Sequence, residues 1–280
     1  MGLWIGQLGA LREVTDGAKQ FDRSPDLGVS EFRSLDGAIT AWVSAIRPRR
    51  LKLSWESMQR DDANHLDRLA RRLDAISPIA VLDPLARNLL SATQAAGLGS
   101  PGKWAWSGAD IILYGGSNGE TVPNTVSVEN VPTSNGPDLL WKHPSWIGFP
   151  VMPGMTMTWW APGLVASGAA LAQLRIEWYD ARGTLLSTAL TSSPAAPLVR
   201  TVPANTVYAR PAVRFSAKGM WALGESVLAL GDVSAALVAG EPFYGDGTPA
   251  YSITAFTHAA SDGNGDYRDI GLELVEVAST

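Results

Sequence analysis

The sequence predicts a mainly β protein: an N-terminal β-sandwich with one packed α-helix (α+β), followed by an antiparallel β-sandwich of the jelly-roll type. Its 280 residues are enough for about two domains. Hydrophobic side chains make up 46% of the chain and charged ones 18%, which is a globular balance. Apolar and polar residues also alternate in many short segments between turns, as in antiparallel strands.

A change in composition near residue 97 marks the predicted domain boundary. Up to Gly97 there are 13 of the 22 basic and 12 of the 27 acidic residues, a net charge of +1; the rest of the chain has 9 and 15, a net charge of −6. The segment Ala95–Gly102 is rich in small residues, as linkers often are. We therefore predict domains at residues 1–97 and 98–280.

One helix stands out in the first domain. Between Gln59 and Ile76 the apolar residues recur at steps of three and four, which puts them on one helical stripe. The pair Ser77-Pro78 is expected to end this helix. Three apolar or alternating segments are predicted as strands that pack with it: Ala38–Ile46, Arg50–Trp55 and Ile79–Leu82.

The second domain shows period-two alternation in at least four segments. This pattern buries one face of each strand and leaves the other face to polar side chains. The segments are Met155–Trp160, Leu174–Tyr179, Val207–Phe215 and Asp269–Leu274. They predict a sandwich or jelly roll built from residues 98 to 280.

Composition excludes several classes of protein. A net charge of −5 and a pI near 5.2 argue against a nucleic-acid-binding protein, which needs clustered basic residues. Without cysteine the chain forms no disulfide, zinc–thiolate site or iron–sulfur cluster. No cofactor is predicted, and neither a secretory signal nor an apolar run long enough to span a membrane is expected.

The polar face of the second domain is the candidate binding surface. Aromatic rings can stack on the C–H faces of sugars while charged groups bind the hydroxyls. The candidate carbohydrate-binding residues are Trp160, Tyr179, Tyr208, Arg175, Glu177 and Arg210. The alternative, which we favour, is that these side chains pack on another sheet, a loop or a subunit, because Tyr and Trp are enriched in interfaces.

An acidic, glycine-containing loop invites comparison with a calcium site. Asp262, Asn264 and Asp266 have the spacing of the first half of a calcium-binding loop. Tyr267 stands where that loop has glycine, and no glutamate follows at its twelfth position. A tight turn is therefore the preferred interpretation, no metal site is predicted, and calcium stays as the alternative.

Catalytic motifs are lacking. The one G-x-S-x-G match, Gly115–Gly119, lies in a Gly-rich segment that no helix pattern follows, so it lacks the strand-to-helix context of a nucleophile elbow. Its Gly-rich segment Tyr114–Gly119 has no lysine of the kind found in phosphate-binding loops. Glycoside hydrolysis needs two carboxylates, and nothing singles out a pair among 27 acidic residues. We predict that the protein is not an enzyme.

The cluster at residues 47–52 is the one strongly basic segment. Its cations are Arg47, Arg49, Arg50 and Lys52. We expect them to pair with acidic residues of a neighbouring subunit rather than with nucleic acid, because the segment alternates like a strand.

Both domains resemble phage tail proteins. Four segments resemble the jelly-roll domains of minor tail proteins from phages of actinobacteria, domains that are related in fold to carbohydrate-binding modules: Phe149–Trp160, Leu174–Leu186, Val202–Pro211 and Asp269–Val277. The strand–helix–strand segment from Arg50 to Pro84 resembles the N-terminal domain of distal tail proteins. In that family a β-sandwich with one helix closes a hexameric ring at the tail tip.

The resemblance implies a virion component, made in the cytoplasm of the bacterial host. It would be a homo-oligomer, a ring of six copies in the tail tip or baseplate, bound to the tail tube and to other tail-tip proteins. Contact with host cell-wall glycans is a further expectation. Two alternatives stay open: a stand-alone carbohydrate-binding protein, and a glycan-cleaving enzyme. No nucleic acid and no membrane insertion is expected.

Overall fold

The computed structural model describes residues 2–25, 29–43, 48–74, 78–83, 85–106, 110–116, 121–132, 136–261 and 266–277. In these residues strands predominate and form several antiparallel sheets, with a few short helices. The predicted mainly β class is confirmed. None of the helices in the described residues has the length and apolar character needed to cross a bilayer.

The elements follow the chain in this order. The first are β1 (Leu3–Gln7), β2 (Ala10–Val14), β3 (Gln20–Pro25), β4 (Val29–Arg33), β5 (Ile39–Val43), β6 (Arg49–Gln59), α1 (Arg60–Ala70) and β7 (Ile79–Leu82). The next are α2 (Ala92–Ala95), β8 (Trp104–Trp106), β9 (Ile111–Tyr114), β10 (Thr125–Val128), β11 (Asp138–Trp141), β12 (Phe149–Pro150), β13 (Thr156–Trp160), α3 (Pro162–Ala166) and β14 (Leu171–Tyr179). The last are β15 (Leu185–Thr191), β16 (Leu198–Thr201), β17 (Tyr208–Phe215), β18 (Gly219–Ala222), β19 (Val227–Leu230), α4 (Ser234–Val238), β20 (Ala250–Ala260) and β21 (Tyr267–Glu276).

The chain divides into two compact units, and the division differs from the predicted one. The first unit combines Met1–Gln7, Arg12–Val81 and Pro249–Thr280; the second contains Leu8–Leu11 and Leu82–Thr248. The boundary predicted between residues 97 and 98 therefore lies inside the second unit. The physical reason is strand pairing, because β20 pairs with β7 and β21 pairs with β6. Strands β20 and β21, which the predicted boundary assigns to the jelly roll, instead complete the N-terminal sheet.

The first unit is organised around a seven-stranded sheet of order β2-β1-β7-β20-β21-β6-β3. Helix α1 packs against β6, β20 and β21. Alternate residues of β6 and β21 point into the shared core, as the period-two pattern predicts: Leu51, Leu53, Trp55, Ile270, Leu272 and Leu274. The indole N–H of Trp55 donates to the carbonyl of Asp16 at 3.1 Å, so even this large buried ring has its polar atom paired.

Helix α1 is shorter than predicted. Its apolar stripe does pack on the sheet through Ala63, Leu66 and Leu69, which are buried. The helix ends at Ala70 instead of Ile76 because Arg72 adopts a left-handed conformation, with φ 57°. Leu73, expected on the stripe, is exposed.

The described residues of the second unit form three antiparallel sheets. A six-stranded sheet has the order β15-β14-β17-β11-β8, with β12 also paired to β17. The other two are three-stranded, of order β16-β13-β19 and β18-β10-β9. Trp159 of β13 joins two of the sheets, because its indole N–H donates to the carbonyl of Ala212 in β17 at 3.0 Å. Its ring also meets Trp141 of β11 edge-on, with centroids 4.8 Å apart.

Candidate functional site

Five of the six predicted carbohydrate-binding residues lie together on the six-stranded sheet. Arg175, Glu177 and Tyr179 lie on β14, and Tyr208 and Arg210 lie on its neighbour β17. In the register of the two strands, Glu177 is opposite Arg210 and Tyr179 is opposite Tyr208. The alternation in the sequence therefore placed these residues correctly on one face.

Trp160 does not belong to this group. It lies on β13, in the three-stranded sheet with β16 and β19. Alternation misplaces Trp160 because Met157, Thr158 and Trp159 are all buried, so β13 is covered on both faces. The grouping of six residues on one sheet face is corrected to five.

The polar atoms of the sheet face are paired largely with one another. The hydroxyl of Tyr179 donates to Oε2 of Glu177 at 2.5 Å. Burial, together with this hydrogen bond, raises the pKa of Tyr179 to about 12. The guanidinium of Arg210 lies 4.9 Å from the centroid of the Tyr179 ring and donates to the carbonyl of Ile147 at 2.7 Å. Tyr208 itself is buried.

Asp138 is the partner that the sequence analysis missed. This buried carboxylate, at the start of β11, receives two hydrogen bonds of 2.7 Å from Arg214 and a further one from Arg175. The hydrogen bonds that Arg214 donates to Asp138 raise the pKa of the Arg214 guanidinium above its ordinary value. Because most of its polar groups already have partners within the protein, this face has the character of the packed alternative; sugar binding by its five residues stays a prediction.

Trp160 instead lines a cleft in the second unit. The cleft has a volume of about 580 Å³, and its walls include Phe243 and Tyr244 as well as Glu225 and Glu241. The indole N–H of Trp160 donates to the carbonyl of Pro194 at 3.3 Å, which fixes the ring on the cleft wall. The only hint of this cleft in the sequence is the pair Phe243-Tyr244 in a loop without strand or helix pattern.

Two residues of the basic cluster have partners on β21. Arg49 pairs with Glu276 at 3.5 Å and Lys52 with Glu273 at 3.1 Å. Arg47 lies outside the described residues, and Arg50 is exposed on β6. The expectation that these four cations contact a neighbouring subunit stays a prediction.

The calcium alternative falls mostly on residues that the structure does not describe. Asp262 and Asn264 lie outside the described residues, and Asp266 is an exposed residue before β21. In the part of the chain that is described, no three His, Asp or Glu side chains come close enough together to hold a metal ion.

Strand β5, predicted within the segment Ala38–Ile46 to pack with the helix, lies outside the seven-stranded sheet and forms an apolar hairpin with β4. They pair with each other as a two-stranded sheet. Large apolar side chains on this hairpin are exposed: Val29, Phe32, Leu35, Ile39 and Trp42.

Fold and site together define a mainly β protein of two units, one of which carries an aromatic cleft. No family model matches the chain, and no curated protein matches it. One similar solved structure is the enzymatically active domain of the Bacteriophage CBA120 tailspike protein 4, at 15% identity over 51% of this chain, with a TM-score of 0.34. The chain spans about one fifth (21%) of that tailspike structure.

A second similar structure is described as a carbohydrate-binding module from the β-sandwich superfamily. The identity is 13%, over 80% of this chain and 91% of that chain, with a TM-score of 0.30. The chain is thus weakly similar in structure to a phage tail protein and to a carbohydrate-binding module.

Proposed function

We propose that the protein is a structural component of a phage tail, a minor tail protein of the distal-tail type, whose copies associate through the β4–β5 hairpin. Its role is assembly and not turnover. The proposal joins the resemblance of the sequence to tail proteins with one observation, the exposure of apolar side chains on both faces of this hairpin.

The register of the hairpin shows how these side chains are distributed. Trp42 is opposite Ser30 and Phe32 is opposite Thr40, so the two aromatic rings share one face. Ile39 is opposite Arg33 and therefore lies on the other face, along with Val29. All four are exposed. An isolated two-stranded hairpin is only marginally stable in water, so this one is expected to gain stability by packing on a partner.

A second copy of the chain is the partner that we propose. A hairpin that packs on a different surface of the next copy makes a heterologous contact, and such contacts close into a ring when the rotation between copies allows it. Six copies are proposed from the distal-tail resemblance. In this arrangement the ring would also contact the tail tube and other tail-tip proteins.

Trp42→Ser tests the hairpin. Loss of a buried interface tryptophan typically costs about 2 kcal/mol or more, so each contact should weaken at least about 30-fold. We expect the wild type to form a multimer by native mass spectrometry and light scattering, and the variant to dissociate. Leu73→Ser is the matched control, because Leu73 is 61% exposed and Trp42 is 64% exposed in the same unit. It should leave the mass of the multimer unchanged.

The same variants test the tail assignment in the phage itself. Virions that carry the wild type or Leu73→Ser should contain several copies of the chain per tail, counted by quantitative mass spectrometry. Virions that carry Trp42→Ser should lose it. Equal incorporation of all three, together with equal masses in solution, would overturn the role of the hairpin. Absence of the wild-type chain from virions would overturn the tail assignment.

A further inference from the structure

The cleft of the second unit combines exposed aromatic surface with unpaired polar groups. Its walls come from several elements: Trp160 from β13, Ala92 and Ala95 from α2, Leu237 and Val238 from α4, and the segment from Glu241 to Gly245. A volume of about 580 Å³ is in the range of small-molecule binding sites. We propose that this cleft binds an uncharged oligosaccharide. The inference goes beyond the proposed assembly role and does not depend on it.

Aromatic side chains give the cleft its first sugar-binding feature. Tyr244 is 80% exposed although it lines a concave surface, so its ring contributes little to the packing of the core. Trp160 is half-buried on the wall, and the buried Phe243 lies beneath the guanidinium of Arg87, 4.2 Å from the ring centroid. Exposed rings in a concave site offer flat faces on which the C–H groups of a pyranose can stack.

Ser226 gives the cleft its second feature. Ser226 is one of the residues that line the cleft; the residue is only 1% exposed, and among the described residues its hydroxyl has no hydrogen-bond partner. Buried polar atoms are nearly always paired, so an unpaired one calls for a partner supplied from outside the protein. A sugar hydroxyl, which both donates and accepts, can supply it, whereas an alkyl chain or an apolar side chain cannot.

Charge narrows the class of saccharide. Glu225 and Glu241 both line the cleft, and the cation beside them, Arg87, pairs with Glu241 at 2.8 Å. Two carboxylates and one cation therefore give this group of three side chains a net charge of −1. Sulfated, phosphorylated and uronic-acid sugars would be repelled, whereas neutral hydroxyls can donate hydrogen bonds to the carboxylates.

The experiment measures binding of the full-length protein to an array of neutral and acidic glycans. The neutral oligosaccharide that binds most tightly on the array is then titrated by calorimetry. Maltotetraose, cellotetraose and chitotetraose are titrated in the same way for comparison. We expect binding to neutral glycans, a loss of about tenfold or more in affinity for Tyr244→Ala, and no change for Tyr267→Ala. Tyr267 is a matched control because it is an exposed tyrosine of the first unit.

Ser226→Ala separates ligand binding from structure. The substitution removes an unpaired hydroxyl, so the melting temperature of the free protein should not fall, while the affinity for the glycan should. Preference for acidic glycans, absence of binding to every neutral glycan, or equal affinity of Tyr244→Ala and wild type would each overturn the proposal. None of these results alters the mass of the multimer, so a failure here is distinguishable from a failure of the proposed assembly role.

Discussion

His143 is a buried residue whose neighbours fix one tautomer. Its Nδ1 accepts hydrogen bonds from the backbone N–H groups of Ser145 and Trp146, at 3.0 and 3.2 Å. Nε2 therefore carries the proton and donates it to the carbonyl of Thr248 at 2.7 Å. The Trp146 ring stacks on the imidazole with centroids 4.6 Å apart. Since both nitrogens are used, His143 links loops of the second unit and is not free to bind a ligand.

This arrangement makes the stability of the second unit depend on pH. Burial lowers the pKa of His143 to about 4, from about 6.5 in an unfolded chain. The unfolded state therefore takes up the proton first as the pH falls. The stabilising contribution is complete above about pH 6.5 and is lost progressively toward pH 4, by up to about 3 kcal/mol.

His143→Gln tests the prediction by urea unfolding between pH 7 and pH 4. The substitution should lower stability at pH 7, because the imidazole hydrogen bonds and stacking are lost. It should also reduce the decline of the unfolding free energy with falling pH. The carboxylates titrate in both proteins, so the difference between the two pH profiles isolates the histidine. Parallel profiles would contradict the assignment.

At the residue scale the sequence predicted which side chains share a face, but not their partners. Alternation placed Glu177, Tyr179 and Arg210 correctly because strand geometry is local. Asp138 could not be predicted as the partner of Arg214, since the two lie 76 residues apart. The cleft residue Ser226 was equally hidden, because its unpaired hydroxyl is a property of the packed structure alone.

Helix α1 ends in a hydrogen-bonded cap that the sequence pattern does not predict. The N–H of Leu73 donates to the carbonyl of Arg68 at 2.9 Å, and the N–H of Arg72 donates to that of Leu69 at 3.0 Å. These two bonds form a Schellman motif, with Arg72 in the left-handed position. Glycine usually occupies that position and marks a helix end in a sequence. An arginine there gives no such signal, so the apolar stripe predicted a longer helix.

Arg72→Gly should therefore stabilise the first unit. The left-handed conformation costs a non-glycine residue about 1 kcal/mol, and glycine avoids this cost. We expect the unfolding free energy to rise by up to about 1 kcal/mol in urea titrations. The neighbouring Arg71, at φ −77°, provides the control, because Arg71→Gly adds backbone freedom and removes the ion pair of Arg71 with Asp67 at 3.0 Å, so it should destabilise by about 0.5–1 kcal/mol or more. Equal effects of the two substitutions would contradict the cap.

At the scale of the whole molecule, local patterns predicted the elements but not their assignment to units. The segment Asp269–Leu274 was correctly predicted as a strand with one buried face. Its alternation is as compatible with a jelly roll as with the N-terminal sheet, because nothing in a strand specifies its neighbour. The composition change at residue 97 is real, yet a chain can leave a compact unit and return to it. The long-range pairing of β21 with β6 is what assigns this strand to the first unit.

Removal of residues 249–280 distinguishes the two divisions of the chain, because they predict opposite outcomes. If the boundary lay at residue 97, this truncation would damage the second domain and spare the first. In the structure it removes β20 and β21, which lie between β7 and β6 in the first unit's sheet. We expect hydrogen exchange by mass spectrometry to show lost protection in peptides from β6 and α1, whose core residues would face water. Peptides from β13 and β17 should keep their protection, since their pairing partners all precede residue 249. Preserved protection of β6 with loss at β13 would restore the boundary at residue 97.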